Sequence, residues 1–188
     1  LQEKDWTDEE KMNRIIRANE ILQNRLLQTT DTREFNISEL LRGLAHSRKK
    51  TGLVYITGEY FHGGCRKAVM MVRPDLNSGA SNLIEIEIIQ VKEVMDKFFQ
   101  TGLAEQQKRL LSQLGRMFPI LKRISPCDEV LIVPNSSFLN IPLHMIRQDR
   151  KFIFETSRVS YWPSLRLAKS ASKKSRGILG KACIIQTS

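Results

Sequence analysis

The sequence VLIVPNSSFLNIPLHMI, which spans residues Val130 to Ile146, decides the fold of this 188-residue chain. Its first four residues are aliphatic and have no polar face, as is typical of a central strand that helices cover on both sides. Pro134 ends this strand because proline supplies no hydrogen-bond donor to a sheet. Polar turn residues follow, and Phe138, Ile141 and Leu143 then return to the core. The segment therefore predicts a buried strand with a bend across its tip.

The residues between 52 and 117 predict strands first and helices afterwards. Three segments have strand patterns, GLVYIT (52–57), KAVMMVR (67–73) and LIEIEII (83–89), and the third alternates isoleucine with glutamate. We expect the first two to form a hairpin around the glycine-rich loop GEYFHGGCR, with the third strand beside them. Two helices before Pro119 are predicted by apolar residues at helical spacing: Val91, Val94, Met95 and Phe98, then Leu103, Leu110, Leu111, Leu114 and Met117. This order of elements indicates an α/β sandwich.

The residues after 150 predict a second group of elements. FIFE (152–155) and RVSYW (158–162) have the pattern of a short strand pair. Pro163 and Ser164 can open a helix that carries Leu165, Leu167 and Ala168. The segment SASKKSRG (170–177) is predicted to be a basic loop, and ACIIQT (182–187) a further buried strand.

The amino-terminal residues predict two amphipathic helices. Thr7 and Glu10 have the spacing of a capping box, so a helix is expected to begin here. Its apolar face is formed by residues at helical spacing: Met12, Ile15, Ile16, Leu22 and Leu26. The second helix is expected to begin at Asn36, with Glu39 at the reciprocal capping position, and to run to about His46.

We expect two parts, a helical region at residues 1–47 and an α/β domain at residues 48–188. Two helices in succession are typical of the end of a helical repeat array, but one pair has no measurable period. Whether the helical region belongs to such an array stays open.

Composition excludes several classes of protein. No run of apolar residues approaches the roughly 18–20 that cross a bilayer, so no membrane contact is expected. The first residues are acidic and polar where a signal peptide would be basic and then apolar, which favours a cytoplasmic fragment of a longer protein. Cys65, Cys127 and Cys183 are an odd number without a close pair, which argues against a disulfide framework and a structural zinc site.

The net charge of +10 is concentrated near the carboxyl terminus. Residues 151–188 contain eight basic residues and one acidic residue. Such a block can attract nucleic acid or an acidic protein, but a sheet with one solvated basic face has the same sequence pattern. The solvated face is the favoured interpretation, and nucleic-acid binding is not favoured.

The order and spacing of these features resemble the CHAT domain, a caspase-like cysteine peptidase module often fused to tetratricopeptide repeats. Pro134 and Pro142 match the two prolines of the family pattern, and Asn135 stands in its acidic place. RVSYWPSLRLA is similar to the following family segment through Tyr161, Pro163, Ser164 and Leu167. The resemblance covers roughly residues 38–188 and implies a caspase-like sheet flanked by helices, here its front portion.

The resemblance does not extend to the catalytic residues. Members of the family carry their histidine in a His-Gly pair after a later strand, and their nucleophile in a strand end similar to Ser-Ala-Cys. This sequence contains neither, so we assign no catalytic, cofactor-binding or metal-binding residue. The residues expected to matter are structural ones that hold the central strand and its bend: Pro134, Phe138, Ile141, Pro142, Leu143, Tyr161, Pro163 and Ser164.

Several other residues are of types that can carry out chemistry. His62 and Cys65 are three apart, but a solvated hairpin loop accounts for them better than a catalytic dyad or a zinc site. His144 beside Pro142 is expected to be a packed or surface residue on a short helix.

The remaining nucleophile candidates are expected to be inert. The neighbouring Asp128 and Glu129 should raise the pKa of Cys127, and Cys183 has the surroundings of a small core residue. Ser136 and Ser137 lack the glycine-flanked elbow of a serine hydrolase.

Two functions follow as expectations. By resemblance, the chain is the amino-terminal part of a caspase-like cysteine peptidase, silent alone, whose complete module would cleave a protein or peptide substrate without metal or organic cofactor. A remaining catalytic half or a regulatory protein would then be its partner. The alternative is a non-catalytic interaction or regulatory module whose basic carboxyl-terminal region binds an acidic protein or nucleic acid.

Overall fold

A computed structural model describes residues 10, 13–14, 16–21, 37–45, 49–78, 81–124, 127–135, 138–148 and 151–174, without the side chains of residues 61, 62, 120, 147, 148 and 172–174. The protein is a mixed α/β structure in which helices flank a sheet, as the sequence predicts.

Among the described residues, eight strands form one large sheet and one small ribbon. The sheet contains β1 (Thr51–Ile56), β2 (Tyr60–His62), β3 (Cys65–Arg73), β4 (Asn82–Glu87), β5 (Glu129–Val133) and β8 (Arg158–Tyr161). The ribbon pairs β6 (Arg147–Gln148) with β7 (Lys151–Phe152). The helices are α1, described at residues 16–21, and α2 (Ile37–Leu44), α3 (Ile88–Gln100), α4 (Ala104–Met117), α5 (Ile153–Thr156) and α6 (Leu165–Lys174).

The quoted segment provides the central strand. β5 lies between β1 and β8 and pairs in parallel with both, so that Ile132 stands between Val54 and Tyr161. β3 continues the sheet on the other side of β1 in antiparallel orientation, and β4 pairs with β3. The prediction of a buried central strand is confirmed.

Helices cover both faces of β5. Val54, Val130 and Ile132 point to one face, called face 1, where they pack in one apolar cluster with α3 and α4. Leu131 and Val133 point to the other, face 2, where they pack with α1, α2 and α6. A parallel strand without a polar side chain needs this double cover.

The amino-terminal helices share a core with the sheet. Ile16 of α1 and Leu40 and Leu44 of α2 are buried in the cluster of face 2. The boundary between residues 47 and 48 stays a prediction, and the expected capping residues Thr7 and Asn36 lie outside the described residues.

The first hairpin is longer than predicted. The loop GEYFHGGCR contains β2, which pairs with the beginning of β3 and brings His62 opposite Cys65. Gly63 and Gly64 form the two-residue turn with φ of 59° and 78°, a left-handed conformation that glycine adopts without steric cost.

The strand predicted at residues 83–89 ends two residues early. Ile88 and Ile89 begin α3, because the apolar side of that helix needs Ile88 in register with Val91 and Met95. Ile88 is buried there and Ile89 is exposed.

Two further predictions about the elements are wrong. FIFE does not pair with RVSYW: its last three residues belong to α5, where the Glu155 carboxylate accepts a hydrogen bond from the Phe152 N–H at 2.7 Å. RVSYW instead supplies β8, parallel to β5. The first half of SASKKSRG is helical as part of α6, because the helix opened by Ser164 continues to Lys174. ACIIQT lies outside the described residues.

One residue of the second predicted helix is not on its buried side. Leu103 precedes α4 and is exposed, whereas Leu111 and Leu114 are buried as expected. Within the part of the chain that the structure describes, no helix combines the length and apolarity needed to cross a bilayer.

The burial of β5 on both faces predicts that truncating its side chains lowers the stability of the fold. Ile132→Ala should lower the free energy of unfolding by about 2–5 kcal/mol, because Ile132 is fully buried and the lost methyl groups leave a cavity. Ile89→Ala is the matched control, because Ile89 is 62% exposed, and should change it by less than about 0.5 kcal/mol. Urea unfolding measures both, and equal effects would contradict the central place of β5.

Candidate functional site at the carboxyl edge of the sheet

The carboxyl ends of β1, β5 and β8 lie at one edge of the sheet. The chain after β5 packs on face 1 through Phe138 and Leu143, and α6 after β8 packs on face 2 through Leu165. Two neighbouring parallel strands whose connections leave on opposite faces create a crevice at their carboxyl ends, and ligands of open α/β sheets bind in such crevices. This edge is therefore the candidate site.

The proline-bracketed bend closes over the end of β5. The Phe138 N–H donates to the carbonyl of Asn135, and the Ile141 N–H donates to the carbonyl of Phe138. Phe138, Ile141 and Leu143 are buried on face 1, as the sequence predicts. Ser136 and Ser137 lie outside the described residues. The bend is thus a packed structural element.

Asn135 links the ends of β5 and β1. Its side-chain N–H donates to the backbone carbonyl of Thr57, which directly follows β1. The residue is 3% exposed, and its Oδ1 atom has no hydrogen-bond partner. An ionised aspartate could not donate to Thr57, so asparagine suits this contact.

His144 and Tyr161 join the bend to β8. The Tyr161 oxygen accepts a hydrogen bond from the His144 backbone N–H at 3.2 Å and lies 2.9 Å from Nδ1 of the imidazole. Burial lowers the pKa of His144 and raises the pKa of Tyr161 to about 12. The Tyr161 residue is nevertheless 38% exposed. Both groups are therefore neutral at pH 7.

The protonation of this pair decides what His144 can do. The 2.9 Å contact occupies Nδ1 of the imidazole whichever group donates, since the tyrosine hydroxyl can donate to Nδ1 or accept from it. In the form in which the hydroxyl donates, the imidazole proton is on Nε2 and the ring has no free nitrogen to act as a general base. His144 is a packed residue on a short 3-10 helix, as expected from the sequence.

The amino end of α6 is capped by two buried side chains. The Ser164 hydroxyl accepts from the Leu167 N–H at 3.2 Å, and the carboxylate of Glu20 accepts from the N–H groups of Leu165 at 2.9 Å and Arg166 at 3.4 Å. A helix leaves its first N–H groups without internal partners, and a negative charge at this end is favourable. Glu20 thus fills the position where a helix terminus at such an edge could hold an anion.

Glu20 belongs to a buried network that the sequence-based reasoning missed. Its carboxylate also accepts a hydrogen bond from the Tyr55 hydroxyl at 3.4 Å. The Tyr55 hydroxyl in turn accepts a hydrogen bond from the Asn19 side-chain amide at 2.7 Å. Burial raises the pKa of Glu20, and burial with the adjacent carboxylate raises that of Tyr55. The available signal was spacing, because Glu20 follows Ile16 by four residues and so lies on the apolar side of α1.

The described thiols are not arranged for catalysis. Cys127 is buried, and its thiol donates to the backbone carbonyls of Pro74 and Ile124. Its pKa is raised as predicted, but burial is the main cause, and Asp75 and Asp128 add to it. Cys65 is exposed at the tip of the first hairpin. Cys183 lies outside the described residues.

No group of three or more metal-ligating side chains is found within the described ranges. No protein-family model matches the chain, and no curated protein matches it either. The kinship implied by the motif resemblance therefore stays a prediction.

The His144 contact predicts a pH effect. Because its pKa is lowered in the folded chain, the unfolded chain binds the proton first, and stability is lost as the pH falls below the unfolded value of about 6.5. Relative to His144→Gln, the native protein should lose free energy of unfolding between pH 7.5 and pH 5. Urea unfolding at both pH values checks this, and a constant difference would exclude it.

The Glu20 network predicts a pH dependence of stability with the opposite sign. Because its pKa is raised, the folded chain holds the proton longer than the unfolded chain, so stability falls as the pH rises above about 4.3. Relative to Glu20→Gln, the native protein should become less stable from pH 5 to pH 8 in chemical unfolding. Glu105→Gln is the matched control, because its side chain is 70% exposed, and should show no such trend. A common trend in both variants would contradict the role of burial.

Proposed function

We propose that this chain forms the front portion of a CHAT module, a caspase-like cysteine peptidase unit. One observation carries the proposal: the two matched motif segments meet at the carboxyl ends of the parallel strands β5 and β8. The short 3-10 helix directly after Pro142 contacts the RVSYWPS segment through His144 and Tyr161, although the two segments are separated in sequence. Motif residues that converge in space support a shared architecture more strongly than their order alone.

The contacts of the matched residues give each a structural role in this proposal. Phe138, Ile141 and Leu143 anchor the bend on face 1, and Ser164 caps α6. Tyr161 ties β8 to the bend. All five are among the residues that the sequence predicts to hold the central strand and its bend.

The proposed module is silent in the present chain. A cysteine peptidase needs a thiolate beside an imidazole and backbone N–H donors for the oxyanion. Cys127 is buried with its thiol on backbone carbonyls, and His144 is engaged with Tyr161. A complete module would add a His-Gly strand and a strand ending in cysteine.

The decisive experiment reads the coding sequence that follows Ser188 and assays two proteins. The 188-residue chain should not cleave a fluorogenic peptide library, and the chain extended through a downstream His-Gly strand and cysteine strand should do so. Labelling by a peptide-based thiol-reactive probe gives a second readout, with Cys65→Ser as the control because Cys65 is exposed. A stop codon directly after Ser188, or an extension without histidine and cysteine, would reject the peptidase proposal.

The second candidate function is a non-catalytic module that binds an acidic protein or nucleic acid. The excess of basic residues after residue 150 favours it, and Lys151 and Arg158 are exposed. Lys169 is a poor probe of this function, because its ammonium pairs with Glu39 at 3.7 Å and joins α6 to α2.

Salt dependence tests the nucleic-acid branch. If it holds, affinity for duplex DNA should fall steeply with added salt, and neutralising Lys173, Lys174 and Arg176 together should reduce the slope. Fluorescence anisotropy at several salt concentrations measures this. An absence of binding at physiological salt would remove nucleic acid from consideration.

A further inference from the structure

A polar cleft of about 500 Å³ lies on face 2, at the amino-terminal end of the parallel strands and away from the candidate site. It is bounded by α2 and by the turn that follows β3, where the Leu76 N–H donates to the carbonyl of Thr51 at the start of β1. A volume in this range suits a small organic molecule better than a single ion. We call it the arginine cleft, and its lining includes Ser38, Arg42, Ala45, Arg73, Leu76 and Asn77.

One wall of the arginine cleft is a side of α2. Ser38, Arg42 and Ala45 recur at spacings of four and three residues, which places them on one side of the helix. The Arg42 Nε donates to the backbone carbonyl of Ser38 at 3.3 Å, one turn earlier. Among the described residues, no hydrogen bond or ion pair engages the terminal nitrogens of Arg42. These nitrogens can therefore donate to a ligand.

The end of β3 brings a second guanidinium to the cleft. Arg73 is the last residue of β3 and follows Met71, which packs on face 2, by two positions. Because every second side chain of a strand points to the same face, the Arg73 side chain also points to face 2. The residue is half-buried, and its Nε is buried. Packing thus holds this positive charge at the arginine cleft.

Neutral groups complete the lining. The turn after β3 is fixed because the Asn77 N–H donates to the Asp75 carboxylate at 2.9 Å, and the Asn77 side-chain amide donates to the same oxygen at 3.3 Å. Asn13 adds a second carboxamide, and Leu41 and Leu76 add apolar surface. A pocket that combines apolar surface with a few fixed polar groups can orient a small ligand.

The charge of the arginine cleft is positive. Arg42 and Arg73 are the charged residues of the lining, which lies entirely within the described ranges and contains no carboxylate. Of the neighbouring carboxylates, Asp75 accepts from Asn77, and Glu39 pairs with Lys169 at 3.7 Å. A cleft lined by one sign of charge concentrates ligands of the opposite sign.

We propose that the arginine cleft binds a small organic phosphate monoester. Guanidinium groups bind phosphate oxygens through paired N–H donors, and two of them match a phosphate monoester, which carries a charge of about −1.5 to −2 at pH 7. The phosphate lies between Arg42 and Arg73, and the organic part of the ligand lies on Leu41 and Leu76. This proposal is independent of the peptidase kinship, because the cleft lies at the other end of the strands.

Three probes test the proposal on the 188-residue chain by calorimetric titration. Phenyl phosphate has the proposed charge and an apolar body, phenyl sulfate has the same shape with one negative charge, and inorganic phosphate lacks the body. Phenyl phosphate should bind at least about tenfold more tightly than either of the other two. In NMR spectra it should shift the amide signals of Ser38, Arg42 and Asn77.

Variants of single arginines locate the source of affinity. Arg42→Gln should weaken phenyl phosphate binding at least about tenfold, because it removes charged donors at an exposed position of α2. Arg73→Lys keeps the charge but loses the planar pair of donors, and should weaken binding as well. Arg109→Gln is the matched control, because it removes one charge from α4 at a side chain that is 79% exposed, and should leave binding unchanged. Circular dichroism and urea unfolding establish that each variant is folded.

The opposite results overturn the proposal. Equal binding of phenyl phosphate and phenyl sulfate would mean that the cleft does not select a dianion, and equal binding of inorganic phosphate would mean that it does not hold an organic body. Equal losses in Arg42→Gln and Arg109→Gln would assign the affinity to the net charge of the chain. Shifted amide signals outside the cleft would place the ligand elsewhere, and no binding at millimolar phenyl phosphate would reject the site.

Discussion

The burial of β5 on both faces is the constraint from which the rest of the structure follows. A parallel strand cannot be joined to its neighbours by a tight turn, so each connection must cross a face of the sheet as a longer segment. These crossings provide the cover that an entirely apolar strand requires. α3 and α4 cover face 1, and α1, α2 and α6 cover face 2. The hydrophobic effect and chain connectivity thus select the same arrangement.

Because of the same constraint, groups of the protein itself occupy the carboxyl edge of the sheet. The bend after Pro134 occupies the end of β5, and the carboxylate of Glu20 occupies the amino end of α6. In open α/β sheets these places are where ligands bind. Among the described residues, internal contacts therefore occupy both places at this edge.

The sequence predicted the elements whose signal is local and long. β5, α3 and α4 were predicted because a continuous apolar run and helical spacing over ten or more residues are hard to produce by chance, whereas only the beginning of α6 was predicted. The prediction of a strand for FIFE was wrong because a short apolar segment has no distinctive period. The hydrogen bond from the Phe152 N–H to the Glu155 carboxylate favours the helical turn. The start of α3 was misplaced for the same reason, since Ile88 suits a strand and a helix equally.

The candidate site was predicted only in part. Pro134, Pro142 and Tyr161 were marked by their spacing, and the bend does lie at the strand tip. The contact between His144 and Tyr161 and the one between Glu20 and α6 depend on chain segments that meet only in the folded state. A single sequence carries no periodic signal for such contacts, although an acidic residue on an apolar helix side is a usable warning.

The bond between Glu20 and the Leu165 N–H joins residues that are 145 positions apart. A contact of this span forms late in folding, because a large loop must close before the contact contributes any stability. During synthesis the first helix leaves the ribosome long before its docking partner exists, so Glu20 is hydrated and ionised at that stage. The last described helix therefore completes the binding surface of the first, and the emerging polypeptide cannot dock its first helix until the residues through 174 have been translated.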